Sequence, residues 1–230
     1  MKWFIYVIRS SSRKALFENG GAKWPRALPF TQVTPRTGRR AALRWLAALA
    51  PATMLLPACS RKPVFKGVDV SGGPMSMTVA MTDHTGRRRT LADFRGKVVA
   101  LFFGYTHCPD VCPTTMARLE LAMQQLGSNA DQVQVLFVTV DPEHDTLPVL
   151  ARWVTAFDPH FLGLRGTPAE LKVAASQMKV FAGLSGKPGD EAIMHNGNVF
   201  LFDRKGAVRV LEHSGVDART LAADMRQLLQ

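Results

Sequence analysis

The apolar positions of the chain follow two rhythms: unbroken runs that read as buried strands, and three-to-four-residue spacings that read as helices. The strongest run is Val98–Phe103, VVALFF, whose β-branched and aromatic content predicts a buried strand. Gly104–His107 breaks it, and beyond Pro113 the spacing turns helical. Met116, Leu119, Met123 and Leu126 share one face, and Gly127 stands where a helix would stop. A second buried strand is predicted over Val133–Val140, and Leu150, Trp153, Val154 and Phe157 give another helical face. Thr167-Pro168-Ala169-Glu170 carries a capping Thr, a first-turn Pro and a reciprocal Glu, the marks of a helix start. Leu171, Ala174, Ala175 and Met178 continue that helix on one side. A glycine-containing loop, about Gly183 to Gly197, then leads into a strand over Asn198–Asp203. Arg204-Lys205-Gly206 turns this strand into Ala207–Leu211 as a hairpin, and Asp217 caps a last helix whose Leu221, Met225 and Leu228 face inward. Upstream, Met75–Met81 alternates weakly as a strand, His84-Thr85-Gly86 reads as a turn, and Thr90–Gly96 leads into the central run.

Parallel strands with crossover helices followed by an antiparallel pair predict an α/β domain with a mixed central sheet. A short hairpin extends it at the N-terminal side. The order is strand, helix, strand, helix, short strand, helix, hairpin, helix. No internal repeat or low-complexity tract interrupts it.

Charge changes this picture only at one end. The chain has 230 residues and a net charge of +11, which invites a nucleic-acid partner. Residues 1–59, however, hold ten Lys/Arg and the single acidic Glu18, whereas residues 60–230 are nearly balanced at nineteen basic and seventeen acidic side chains. A phosphate-tracking surface is therefore not indicated, and no nucleic-acid partner is expected. The basic segment has instead the layout of an export signal. Arg39-Arg40 precedes the apolar stretch Trp45–Leu56, which ends in Leu56-Pro57-Ala58-Cys59. Twelve helical residues span about 18 Å against roughly 30 Å of hydrocarbon, short for a permanent span. Leu-Pro-Ala-Cys resembles a bacterial lipobox with Cys59 as the lipidated first residue, and the paired arginines loosely resemble a twin-arginine signal. An uncleaved short anchor is the alternative. Either way the expectation is a signal region over 1–59 and a folded domain over 60–230, held to the inner membrane on the periplasmic side. Residues 1–35 fit no part of such a signal, and a start site assigned too early would account for them.

The candidate chemistry lies where the central strand hands over to its helix. Cys108 and Cys112, separated by Pro109-Asp110-Val111, sit at that junction. Unpaired N–H groups of a first helical turn favour thiolate, which is both the better nucleophile and the better soft-metal ligand. A four-residue step brings both sulfurs to one side, able to close a disulfide or chelate one ion. A structural staple is the plainer alternative, although so short a loop gains little chain entropy. A thiol pair at the end of the first crossover strand is the thioredoxin-like arrangement, and with helices on both faces it gives a three-layer α/β/α domain. Of the six histidines, His195 stands out, in the loop that precedes Phe200-Leu201-Phe202-Asp203. In a thioredoxin-like fold that loop faces the thiols. Two thiolates and one imidazole suit copper, as Cu(I) or Cu(II). Zinc stays open on ligand type, though it normally takes a fourth donor. His107 is the rival third ligand, with a side chain expected to diverge from that of Cys108.

Several segments together resemble the Sco/SenC family. They are Gly96-Lys97-Val98-Val99, Phe102-Phe103-Gly104-Tyr105-Thr106-His107-Cys108-Pro109-Asp110-Val111-Cys112-Pro113, Val138-Thr139-Val140-Asp141-Pro142, Asp145-Thr146, and Phe157-Asp158-Pro159 with Phe161-Leu162-Gly163-Leu164. The similarity covers roughly Phe65 to Leu229. It implies a membrane-tethered copper protein outside the cytoplasm, with a thioredoxin fold. Its copper ligands would be Cys108, Cys112 and His195. Its implied role is assembly of the binuclear copper centre of cytochrome c oxidase, by handing over copper or by reducing the receiving cysteines. The implied partners are the copper-site subunit of that oxidase and a thioredoxin-like reductant. The family usually has Asp immediately before the histidine; here Met194 stands there, which is read first as plain loop packing and, as the alternative, as favouring the softer Cu(I).

The competing reading is an enzyme, a thiol–disulfide oxidoreductase of the cell envelope using the Cys108/Cys112 pair. Thioredoxin-like reductases place two residues between the cysteines rather than three, and a proline rather than His195-Asn196-Gly197-Asn198 before the facing strand. Both differences favour a metal-carrying, non-enzymatic role. A one-cysteine peroxidase ranks last, because no partner arrangement for it is visible.

Overall fold

A computed structural model of the chain describes residues 63–180, 182–185, 192–195 and 197–230. In chain order the strands and helices are β1 (Val68–Asp69), β2 (Met81–Asp83), β3 (Arg88–Arg89), β4 (Val98–Gly104), α1 (Val111–Leu126), β5 (Val133–Thr139), α2 (Leu147–Thr155), β6 (Leu162–Arg165), α3 (Pro168–Met178), β7 (Ala182–Ser185), β8 (Ala192–His195), β9 (Val199–Phe202), β10 (Val208–Glu212) and α4 (Ala218–Leu229). Eight strands form one mixed sheet in the order β1-β10-β9-β4-β5-β6-β2-β3, and β7 pairs with β8 in a separate two-stranded sheet. β4, β5 and β6 run parallel, while β9 is antiparallel to β4 and to β10.

The unbroken apolar run of β4 is explained by its place in the middle of the sheet, where all seven residues are buried. Side chains of a strand alternate between faces, so one run serves two cores. Val98, Ala100 and Phe102 pack with Cys112, Met116 and Leu119 of α1, Leu150 and Val154 of α2, and Leu221 and Met225 of α4. Val99, Leu101 and Phe103 face the other way, against Ala174 and Met178 of α3 and against Met77, Met81, Leu91 and Phe94. The result is the expected three-layer α/β/α arrangement. The antiparallel β2–β3 pair, turned around Gly86 at φ +89°, forms the N-terminal hairpin on the β6 edge.

Three local expectations change. Met75–Met81 becomes strand only at Met81, because its amides go elsewhere: Ser76 N–H donates to the Gln177 carbonyl and Thr78 N–H to the Gln177 side chain. The weak alternation records burial of Met77 and Met81, not a ladder. The helix after the cysteines begins at Val111, two residues before Pro113, which sits where no intrahelical N–H is needed. The segment Gly183–Gly197, expected as loop, contains β7 and β8. Its glycines and Pro188 obscured a pairing that is antiparallel from Ala182↔His195 to Ser185↔Ala192.

Candidate metal centre

Both thiols lie at the C-terminal end of β4, but they are not equivalent. Cys112 occupies the first turn of α1 and is fully buried, while Cys108 is half-buried in the preceding loop, outside the helix. A helical step is therefore not what joins the sulfurs. The loop folds back so that the Cys108 sulfur lies against the first turn of α1. Burial opposes ionisation of Cys108, yet N–H donors from Asp110 and Cys112, the Cys112 thiol and the Tyr105 hydroxyl outweigh it and hold its pKa below the ordinary thiol value. Two of these donors are amides that a helix N-terminus leaves without intrahelical partners. Burial instead pushes the Cys112 thiol far up; the Tyr105 backbone N–H donates to it, but the charges of Cys108 and Asp145 raise it further. Stabilisation of thiolate by helix amides thus reaches Cys108 and does not prevail at Cys112. Tyr105 itself is pushed up to about 12, by burial first and then by the neighbouring Cys108.

The thiol loop is held from below by Asp145. This carboxylate is fully buried and accepts from Thr106 N–H at 3.0 Å, Thr106 Oγ1 at 2.6 Å and Thr139 Oγ1 at 2.6 Å. Thr139 Oγ1 in turn accepts from Asp141 N–H at 3.0 Å, and Val140 N–H extends the β4–β5 ladder to the Gly104 carbonyl. Asp141 accepts from His144 Nδ1 at 2.8 Å, with His107 Nε2 at 3.6 Å. His107 is turned toward this carboxylate and stacks edge-on against Tyr105, its ring centroid 4.7 Å away. The acidic segment Asp141–Asp145 is therefore scaffolding for the thiol loop. The signal that could have revealed it is topological: parallel β4 and β5 deliver their following loops to the same sheet end.

His195 ends β8, where its backbone pairs with Ala182. Two residues on, Gly197 packs so tightly that a Cβ there would lie 2.8 Å from Val111 Cγ1 and 2.8 Å from Ser214 Cβ. Val111 opens α1 next to Cys112, and Val199 pairs with Phe102 of β4. The chain thus passes from β8 to β9 beside the first turn of the cysteine helix. Among the described residues, which do not include the His195 side chain, no three His, Cys, Asp or Glu groups converge as a ready metal cage. Cys59 lies outside the described residues, and among those described no helix is long and apolar enough to cross a membrane.

Comparison with known proteins decides the family. The family model described as SCO1/SenC matches residues 72–230. The chain belongs to the SCO1/SenC family. A mitochondrial SCO2 homologue of Danio rerio is 40% identical over 130 residues, covering 55% of this chain and 47% of that protein. The human mitochondrial SCO1 homologue is 33% identical over 138 residues, covering 59% of this chain and 44% of that one. The chain spans about half the length of the curated relatives it matches. Among solved structures, Bradyrhizobium japonicum ScoI with copper bound is 34% identical, with TM-score 0.62 over 67% of this chain and 99% of that one. Apo Sco1 of Thermus thermophilus is 36% identical, with TM-score 0.64 over 74% of this chain and 99% of that one. The SCO1/SenC domain here therefore has the thioredoxin-like fold read from the sequence.

Proposed function

We propose that this SCO1/SenC protein carries one copper ion on Cys108, Cys112 and His195 and assists assembly of the binuclear copper centre of cytochrome c oxidase. The observation that carries the reading is the unequal thiol pair at the N-terminus of α1, with the β8–β9 connection passing beside Val111. Two sulfurs in contact, one with its pKa held below the ordinary thiol value, form a soft chelate that suits copper over oxygen-preferring ions. The buried Cys112 thiol would give up its proton when a cation compensates the thiolate charge. That Bradyrhizobium japonicum ScoI was solved with copper bound supports the same cargo here. The segment before Cys59 acts as export signal and lipidated Cys59 as the membrane tether, so that domain 60–230 works on the periplasmic side of the inner membrane. The client is the copper-site subunit of the oxidase. In an oxygen-free titration the reduced protein is expected to take up about one Cu(I) per chain, as one chelating set predicts. Uptake unaffected by Cys108→Ser or Cys112→Ser would defeat the reading.

The thiol asymmetry also favours a second reading, an envelope thiol–disulfide oxidoreductase. A half-buried thiol whose pKa is lowered beside a buried thiol whose pKa is raised is the pair that exchange requires. Cys108 thiolate would attack one sulfur of a client disulfide and release the other as thiolate. Cys112, losing its proton to that leaving group or to water, would then displace the client from the mixed disulfide. Two electrons pass to the client, and the Cys108–Cys112 disulfide that remains is reopened by a thioredoxin-like dithiol reductant. Such a disulfide cannot chelate copper, so the redox state of the pair would gate metal loading. Rapid turnover of a disulfide substrate by metal-free protein would favour this reading over the first.

A further inference from the structure

Away from the thiols, β10 and α4 bury a second pair of ionisable groups. Glu212 ends β10 and Asp224 lies in α4, and each is only 1% exposed. Asp224 is engaged on both oxygens: Lys66 N–H donates to Oδ1 at 2.8 Å and Oδ2 at 2.9 Å, and Gly67 N–H donates to Oδ2 at 2.8 Å. The two oxygens of Glu212 meet no donor and face the Asp224 carboxylate. Acceptor against acceptor is repulsive unless one side carries a proton. Glu212 is the side that carries it, because both Asp224 oxygens already accept backbone N–H bonds while those of Glu212 have none. Burial is the first cause raising the Glu212 pKa, and the hydrogen bond and charge of Asp224, with the charge of Asp217, bring it to about 8.

The other charged groups nearby are committed elsewhere. Arg209 of β10 pairs with Asp203 and donates to Ser71, and Arg118 of α1 donates to the Ser214 carbonyl. The His213 Nδ1 accepts from Gly215 N–H, Asp69 accepts from Ser71 N–H, and the Lys66 side chain is exposed. The segment Phe65–Asp69 lies directly over the pair. A Cβ on Gly67 would sit 2.6 Å from Glu212 Oε2 and 2.7 Å from Val210 Cγ1. Beyond Asp224, this strap is held by the two-residue β1–β10 ladder, by the Val70 N–H bond to the Arg209 carbonyl, and by Phe65 under the Arg209 guanidinium at 5.8 Å. Short edge elements of this kind belong to the low-stability end of a fold.

We propose that Glu212 and Asp224 form a proton-dependent clasp on the strap Phe65–Asp69, closed while they share one proton and opened when that proton is lost. On opening, the Glu212 O–H bond breaks and the proton passes to water. The electron pair stays on the carboxylate, and the two adjacent anions repel beneath Gly67. Where a lipidated Cys59 tethers the domain, as in the function proposed above, freeing Phe65–Asp69 adds roughly 17 Å of reach toward a client.

Amide hydrogen exchange on the full chain, corrected for the intrinsic pH dependence of exchange, tests the clasp. Protection of Lys66 and Gly67 is expected to fall by about tenfold between about pH 7 and pH 9.5, following one linked proton. In Glu212→Gln the side-chain amide donates to Asp224 at every pH, so protection should stay level, with far-UV circular dichroism confirming an intact fold. Wild-type protection that ignores pH, or a parallel fall in Glu212→Gln, would overturn the proposal. Neither copper nor a membrane enters the measurement, so its failure leaves the copper reading standing, and loss of the copper reading leaves the clasp standing.

Discussion

Gly104 and Cys112 touch: a Cβ on Gly104 would come within 2.8 Å of the Cys112 sulfur and 2.7 Å of Phe137 Cε2. The last residue of the central strand is thus a glycine because the buried thiol and an aromatic ring already fill the space beside it. Gly104→Ala is expected to push Cys112 out of its seat, cost about 1–3 kcal/mol by overpacking, and weaken copper uptake together with stability. Chemical denaturation and Cu(I) competition on the same variant check this. Unchanged copper affinity in a destabilised protein would separate packing from the site.

The unequal thiols predict an unequal reaction with alkylating agents. Thiolate is the reactive form, and Cys108 is held below the ordinary thiol value while Cys112 is pushed far above it. As pH rises from neutrality, Cys108 should be labelled first and Cys112 only in strongly alkaline solution. At pH near 7 the ratio of rates is expected to exceed about tenfold, since each pKa unit of separation changes the thiolate fraction that much. Peptide mass spectrometry after brief iodoacetamide treatment of the reduced, metal-free protein reads the ratio. Equal labelling would contradict the asymmetry.

Asp145 is the support on which the thiol loop rests, and Asp145→Asn should disturb it in two measurable ways. An amide offers one acceptor oxygen where the carboxylate offered two to three donors, Thr106 N–H, Thr106 Oγ1 and Thr139 Oγ1. A buried donor left unmatched costs about 1–3 kcal/mol, visible as a lower denaturation midpoint. Removing the negative charge also removes one of the causes that raise the Cys112 pKa, so alkylation of Cys112 should begin at lower pH than in the wild type. A lower midpoint with no change in the Cys112 profile would make Asp145 purely structural.

Much of this architecture could be read from the residues because local and tertiary demands agree. The VVALFF run is fully buried in β4, and the Thr167–Glu170 box forms both of its bonds, at 2.7 and 3.3 Å. Asp217 accepts from Arg219 and Thr220 N–H, and Gly206 turns the β9–β10 hairpin at φ +82°. What escaped depends on contacts between distant segments. Met75–Met81 has strand-like alternation, but Gln177 takes its amides. Asp145 looks like one more acidic loop residue until β5 is placed parallel to β4, which brings its carboxylate under Thr106. The β7–β8 pair hides among glycines, where periodicity has little to register. At the site, a four-residue step puts Cys108 and Cys112 on one side, but their different burial and hydrogen-bond partners follow only from the folded loop.

The central claim is that one ion is shared by two sulfurs and one nitrogen from distant parts of the chain. Copper K-edge X-ray absorption on the loaded protein tests it most directly. Two sulfur donors from Cys108 and Cys112 and one imidazole nitrogen are expected in the wild type, with the imidazole contribution lost in His195→Ala. A wild-type spectrum without imidazole, or one that His195→Ala leaves unchanged, would contradict the account.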